Sequence, residues 1–140
     1  MKDFGPPEHV YVENEWYDGP RIGLADVQGR VHRFKSLFDE KEDEYLGRFL
    51  VWPVDAEELS LEQEQWAIFV SWNKDYERGI AGVETHPGNP GTSARWNELH
   101  ALLRAKREIE PRSAKIAEAD LVFIEKENRY SLSGPSYMMR

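Results

Sequence analysis

Phe49-Leu50-Val51-Trp52-Pro53-Val54-Asp55-Ala56-Glu57-Glu58-Leu59-Ser60-Leu61-Glu62-Gln63 is the stretch in which this chain changes its periodicity. Its first four residues are a short continuous apolar run, the pattern of a buried strand. Pro53 follows where a central strand could not go on donating ladder hydrogen bonds. Two overlapping helix starts come next. Asp55-Ala56-Glu57-Glu58 sets a capping side chain three residues before a glutamate, and Ser60-Leu61-Glu62-Gln63 repeats the arrangement with Gln63 in that role. Either start puts carboxylates into the first turn, where the helix dipole favours them.

On the N-terminal side of this junction the chain reads as strands. Val10-Tyr11-Val12 is β-rich, Gly19-Pro20 sets a turn, and Gly29 divides Leu24-Ala25-Asp26-Val27 from Val31-His32-Arg33-Phe34 as a hairpin would. On the C-terminal side it reads as helices. Trp66, Phe69, Trp72 and Tyr76 recur at helical spacing, with Ile68 and Val70 widening the stripe, so burial over much of the circumference is expected before Gly79 ends the helix. A second helix begins at Thr92 or Ser93, shows Trp96, Leu99 and Leu103 on one face, and must stop by Pro111. Trp66, Phe69, Trp72 and Trp96 are expected between the helices and the sheet. Leu121-Val122-Phe123-Ile124 supplies a last strand. Strands gathered before Pro53 and helices after it select an α+β fold, an antiparallel sheet covered on one face by two helices, over a doubly wound one.

The 140 residues suffice for one domain, 1–140, with ends expected to fray over about 1–8 and 133–140. The sequence has no cysteine, which excludes disulfides, a thiol nucleophile and thiolate-bound metals. No apolar run approaches the ~20 residues of a membrane span, and Met1 to Pro7 lacks the core of a signal peptide, so a cytoplasmic address is expected. With 18 Lys+Arg against 26 Asp+Glu, the net charge of −8 argues against sequence-independent binding to nucleic acid. The excess is localised. Ser36 to Gln65 holds ten acids and two bases, whereas Ala94 to Lys115 holds six bases and three acids, which implies an acidic and a basic side.

None of the four histidines, His9, His32, His86 and His100, has the spacing of a metal site, and there is no nucleophile elbow, phosphate loop or dinucleotide fingerprint. No catalytic residue, metal or cofactor is therefore assigned. His86 is the histidine of most interest, because it stands in the long Gly/Pro-punctuated segment from Arg78 to Gly91. Trp16, Tyr17, Asp18 and Arg21, grouped around Gly19-Pro20, combine aromatic surface with opposite charges and are the best small-molecule candidates. Asp18 and Arg21 are also placed to pair with each other across the turn. Asp39, Glu40, Glu42, Asp43 and Glu44 form a solvated run suited to contact with a basic partner.

The segments Glu15 to Asp26, Phe49 to Asp55 and Gln65 to Phe69 resemble a group of short uncharacterised bacterial proteins, over about Val10 to Leu103. The resemblance implies a bacterial, cytosolic, single-domain protein and brings no activity or cofactor. Three functions are compatible with these readings. The first is a non-enzymatic interaction module of the immunity, antitoxin or accessory type, binding a basic protein through the acidic run. The alternative is a small enzyme or ligand-binding domain with its site between the Tyr17–Arg21 turn and the His86 loop. The third, least compatible with the charge, is a nucleic-acid binder using Arg95, Arg104, Lys106 and Arg107. Oligomeric state is not readable from the sequence.

Overall fold

The turn chemistry before Pro53 builds a strand meander, and the junction after it starts a helix. The computed structural model describes residues 2–3, 7, 9–16, 20–42, 44–89, 91–107, 116–121, 123–125 and 137–138. In chain order its elements are β1 (Lys2–Asp3), β2 (Val10–Trp16), β3 (Pro20–Val27), β4 (Arg30–Asp39), β5 (Glu44–Pro53), α1 (Ala56–Glu77), a 3₁₀ turn (Val83–Thr85), α2 (Ala94–Arg107), β6 (Ala117–Asp120), β7 (Ile124–Glu125) and β8 (Tyr137–Met138). The main sheet has the order β1-β6-β5-β4-β3-β2. Strands β2 to β6 pair antiparallel, and β1 adds a two-residue parallel edge on β6. β7 and β8 pair separately. The expected α+β fold is therefore present, with α1 packed on the sheet and α2 packed on α1. Among the described residues no helix is long and apolar enough to cross a membrane. Of the end segments expected to fray, most lies outside the described residues, while Lys2-Asp3 and Tyr137-Met138 are held in ladders.

The β3–β4 hairpin closes through Gln28 and Gly29, both at positive φ (54° and 76°), the combination a two-residue type I′ turn requires. Gly23 has a different reason. A Cβ there would come within 2.3 Å of the Val12 carbonyl oxygen and 2.7 Å of the Phe34 ring, so only glycine lets Phe34 lie across β3.

Strand β2 does not alternate simply. Val10 pairs with Ala25 and Val12 with Leu24, so Tyr11 is an extra residue that turns the two valines to opposite faces. Each face has its own core. Away from the helices, Val10, Ala25, Val27, Phe34, Phe49, Val51, Ala119 and Leu121 are buried together. Beneath α1, Val12 and Leu24 meet Trp66 and Val70.

Two expectations need correction. The last strand of the sheet is Ala117–Asp120, not Leu121 to Ile124. Ala119, in register with Phe49 and fully buried, is small enough to lie under that ring. Leu121 and Phe123 instead pack on the face, with the Phe123 ring 4.9 Å from Phe34 and 5.4 Å from Phe49. Second, full burial of α1 does not extend over much of its circumference. Its buried residues are Glu58, Glu62, Gln65, Trp66 and Val70, while Phe69 and Trp72 are half-buried and Tyr76 is exposed. The last turns of α1 carry their aromatics toward the loop that follows, where Trp72 Nε1 donates to Thr85 Oγ1 at 3.1 Å.

Candidate functional site

Residues 58, 62, 66 and 70 follow one another at intervals of four and so form one stripe of α1. Asp55 fixes where that stripe begins, its Oδ1 accepting from the Glu58 backbone N–H at 2.8 Å. The stripe is half acidic and half apolar, and it faces the sheet. Directly opposite, on the central strand β4, Arg33 is fully buried between its register partners Leu24 and Trp52. Its guanidinium donates to Glu58 Oε2 through Nε (3.1 Å) and Nη2 (2.8 Å), to Glu62 Oε2 through Nη2 (2.6 Å), and to Asn14 Oδ1 through Nη1 (3.0 Å). A second register shift in β2, between Glu13 and Glu15, releases Asn14 from the ladder's alternation; its amide nitrogen also donates to Glu62 Oε1 at 3.1 Å.

From the other side Arg107, in the last turn of α2, donates to both Glu62 oxygens (2.9 and 2.5 Å) and to Gln65 Oε1 (2.6 Å). Two guanidinium groups and two carboxylates make this buried network electrically neutral, the condition under which such charges can be tolerated away from water. Burial alone would raise the pKa of Glu62. The Arg107 hydrogen bonds and the charges of Arg33 and Arg107 outweigh it, and the carboxyl is held below the usual carboxylate range. The network ties the sheet, α1 and α2 together. On the outer side of the helix pair, Arg95 of α2 clasps Glu64 of α1 and Glu98 of its own helix.

Above this floor lies a cleft of about 550 Å³ between β2, α1, α2 and the loop that joins the helices, a size typical of small-ligand sites. Trp66, Phe69, His86 and Trp96 give it an aromatic wall. Neighbouring ring centroids are 5.6 Å apart for Trp66 and Phe69, 6.0 Å for Phe69 and His86, and 6.1 Å for His86 and Trp96. The loop that carries His86 is fastened from within. Asn89 Nδ2 donates to the Val83 and Glu84 carbonyls, Thr85 Oγ1 donates to the Gly82 carbonyl, and His86 Nδ1 accepts from the Gly88 N–H at 2.9 Å.

Gln65, 5% exposed, is among the residues that line the cleft. Because Arg107 donates to its oxygen, the amide orientation is fixed, and Nε2 is left buried with no hydrogen-bond partner. It is the one such side-chain atom among the described residues.

Of the residues singled out in the sequence, the structure places His86 in the cleft wall, and His100, read there as an ordinary helix histidine, also lines the cleft. Arg21 is elsewhere. It precedes Ile22, which pairs with Lys35, so strand alternation sets it on the face of Gly23 and Phe34, turned away from α1, and its Nη1 donates to Ser36 Oγ at 3.3 Å. The sheet therefore separates Arg21 from His86, and the two do not share a site. Trp16 closes β2 in register with Pro20; Tyr17 and Asp18 lie outside the described residues, and with them the expected Asp18–Arg21 pair. In the acidic run, Asp39 and Glu44 are in register at the end of the β4–β5 hairpin, and Glu40 and Glu42 are exposed at its tip. Asp43 lies outside the described residues.

The sequence reading missed Arg33, Glu58, Glu62 and Gln65, and it gave Arg107 to a nucleic-acid surface, whereas its guanidinium is held by Glu62 and Gln65. A usable signal was present: two acids at positions 58 and 62 share a stripe with Trp66 and Val70, and a carboxylate on a stripe bound for the core needs a buried cation. Among the described residues no group of three or more His, Asp or Glu side chains is placed to hold a metal ion. Comparison with protein-family models, with curated proteins and with solved structures finds no match to this chain.

Proposed function

We propose that this protein is a binding domain for a small molecule held in the cleft between β2, α1, α2 and the helix-joining loop. The observation that carries this reading is Gln65 Nε2, a buried donor with its orientation fixed and nothing to donate to, on a residue that lines an aromatic cleft. Leaving such a group unpaired disfavours the fold by about 1–3 kcal/mol, which an acceptor on a ligand would recover. Asn97, exposed on α2 at the cleft, offers a way to close the site without disturbing the core. A collection of common metabolites should contain compounds that raise the melting temperature of the native chain but not of the Asn97→Trp variant. At ten times its Kd a ligand adds about 1.4 kcal/mol, or about 4–6 °C for a domain of this size. Shifts that are equal in the two proteins for every compound would remove the reading.

A second reading, an acidic contact for a basic protein partner, is favoured by the β4–β5 hairpin, whose paired strands carry Glu40 and Glu42 into solvent. Neutralising Asp39, Glu40, Glu42, Asp43 and Glu44 together should slow association with a co-purifying partner while leaving the fold intact. Added salt should do the same, since exposed charges are screened over about 8 Å at physiological ionic strength. An association rate indifferent to both would exclude this contact.

A further inference from the structure

On the buried side of the cleft, at Glu62 and Gln65, the acceptors are occupied while a donor is not, and this balance narrows what it can hold. Both oxygens of Glu62 already accept, from Arg33, Arg107 and Asn14. Gln65 Oε1 accepts from Arg107. The donors are in the opposite condition. Gln65 Nε2 has no partner. Because His86 Nδ1 accepts from Gly88, the neutral imidazole carries its proton on Nε2, which has no partner among the described residues. The Trp96 indole nitrogen is also without an acceptor among the described residues. It lies close to Gly88, 3.7 Å from where a Cβ would stand, so the N–H edge of that ring is turned toward the His86–Gly88 rim of the cleft.

Charge sets a second limit. Arg107 is the one Arg or Lys among the described lining residues, and it is held by Glu62 and Gln65. An anionic ligand would therefore find no free Arg or Lys to pair with, only the imidazoles of His86 and His100, and it would meet the carboxylates of Glu13 and Glu62. The third limit is shape: four rings tilted against one another by 43° to 78° favour a flat ligand that stacks on one ring and meets its neighbours by their edges.

We infer that the cleft takes an uncharged planar ring carrying a carbonyl or ring-nitrogen acceptor, with that acceptor directed at Gln65 Nε2. This rests on the small-molecule reading of the same cleft and adds the ligand's chemical class. Four probes separate the three requirements: benzamide has all of them, cyclohexanecarboxamide lacks the flat ring, benzoate carries a charge, and toluene lacks the acceptor.

The indole N–H signals of the five tryptophans in a ¹⁵N-labelled sample provide the readout. Benzamide should shift the Trp66 and Trp96 signals and bind at least about fivefold more tightly than each of the others, since one net hydrogen bond is worth about that much or more. Gln65→Met should weaken benzamide about tenfold and leave toluene unchanged. Trp96→Phe, a half-buried site where folding is not at risk, should weaken benzamide about threefold as read from Trp66. If toluene, benzoate or cyclohexanecarboxamide shifts the same signals with equal or greater affinity, the ligand class is overturned and the small-molecule reading stands. If no probe shifts either indole, both fall together.

Discussion

Replacing Arg33 by methionine should destabilise the protein by about 3–5 kcal/mol, the range for breaking a buried ion pair by removing one partner. Arg33 has no exposed surface, and its partners Glu58 and Glu62 have side chains 10% and 0% exposed. Loss of the guanidinium affects the two carboxylates differently. Glu62 keeps Arg107 and Asn14, whereas Glu58 loses the donors Nε and Nη2 together. Most of the destabilisation should therefore come from Glu58. Arg33→Met combined with Glu58→Leu should regain a large part of it, because the remaining Glu62–Arg107 pair is neutral by itself. Urea denaturation of the two single variants and the double variant gives the coupling directly. A loss below about 1 kcal/mol for Arg33→Met would mean that water reaches this guanidinium, as in exposed pairs.

The same network fixes the sign of the acid response. The folded-state pKa of Glu62 lies below its unfolded value, so its contribution is complete above the unfolded value of about 4.3 and disappears as pH falls through the folded one. The melting temperature of the native chain should be insensitive to this group at neutral pH and decline below about pH 4. In Arg33→Met one of the influences holding that carboxyl down is gone, and the decline should begin at higher pH.

Much of the backbone plan was legible because it depends on local chemistry. Pro53 ends a strand, Asp55 caps a helix, Ser93 Oγ accepts from the Trp96 N–H at 3.2 Å, and Gln28-Gly29 turns a hairpin. Each needs only a few neighbouring residues. What was not legible depends on pairing between distant segments. The bulges at Tyr11 and Asn14 appear only once β2 is aligned with β3, and without them Val10 and Val12 read as one face and Asn14 as a surface residue. Arg33 lies in a strand where Phe34 announces the apolar face, so the other face reads as solvated until α1 is laid over it. The candidate site was legible only in His86. Gln65 looked like one more polar helix residue, and its importance comes from the approach of Arg107, 42 positions away.

Truncating Trp66 to alanine should cost about 3–5 kcal/mol, and the loss should fall on the helices as a unit. Of the five residues α1 buries, three are polar or charged, which leaves Trp66 and Val70 as the apolar contacts it drives fully into the sheet. Trp66 is 6% exposed and packs with Val12 and Leu24, its ring 5.6 Å from Phe69. Network hydrogen bonds cannot substitute for that burial, since their net contribution over hydration is small while the loss of a large aromatic leaves a cavity the helix cannot fill. α2 packs on α1 and buries Leu99 and Leu103, so weakening α1 should release α2 as well. Hydrogen exchange should then show amides of both helices opening well before those of β3, β4 and β5, whose other face keeps the Phe34, Phe49 and Phe123 core. Trp66→Phe should lose much less, because a ring remains at the site. A Trp66→Ala protein that melts within a degree or two of the parent, or one whose sheet and helices exchange together, would show that α1 is held by its charges rather than by this ring.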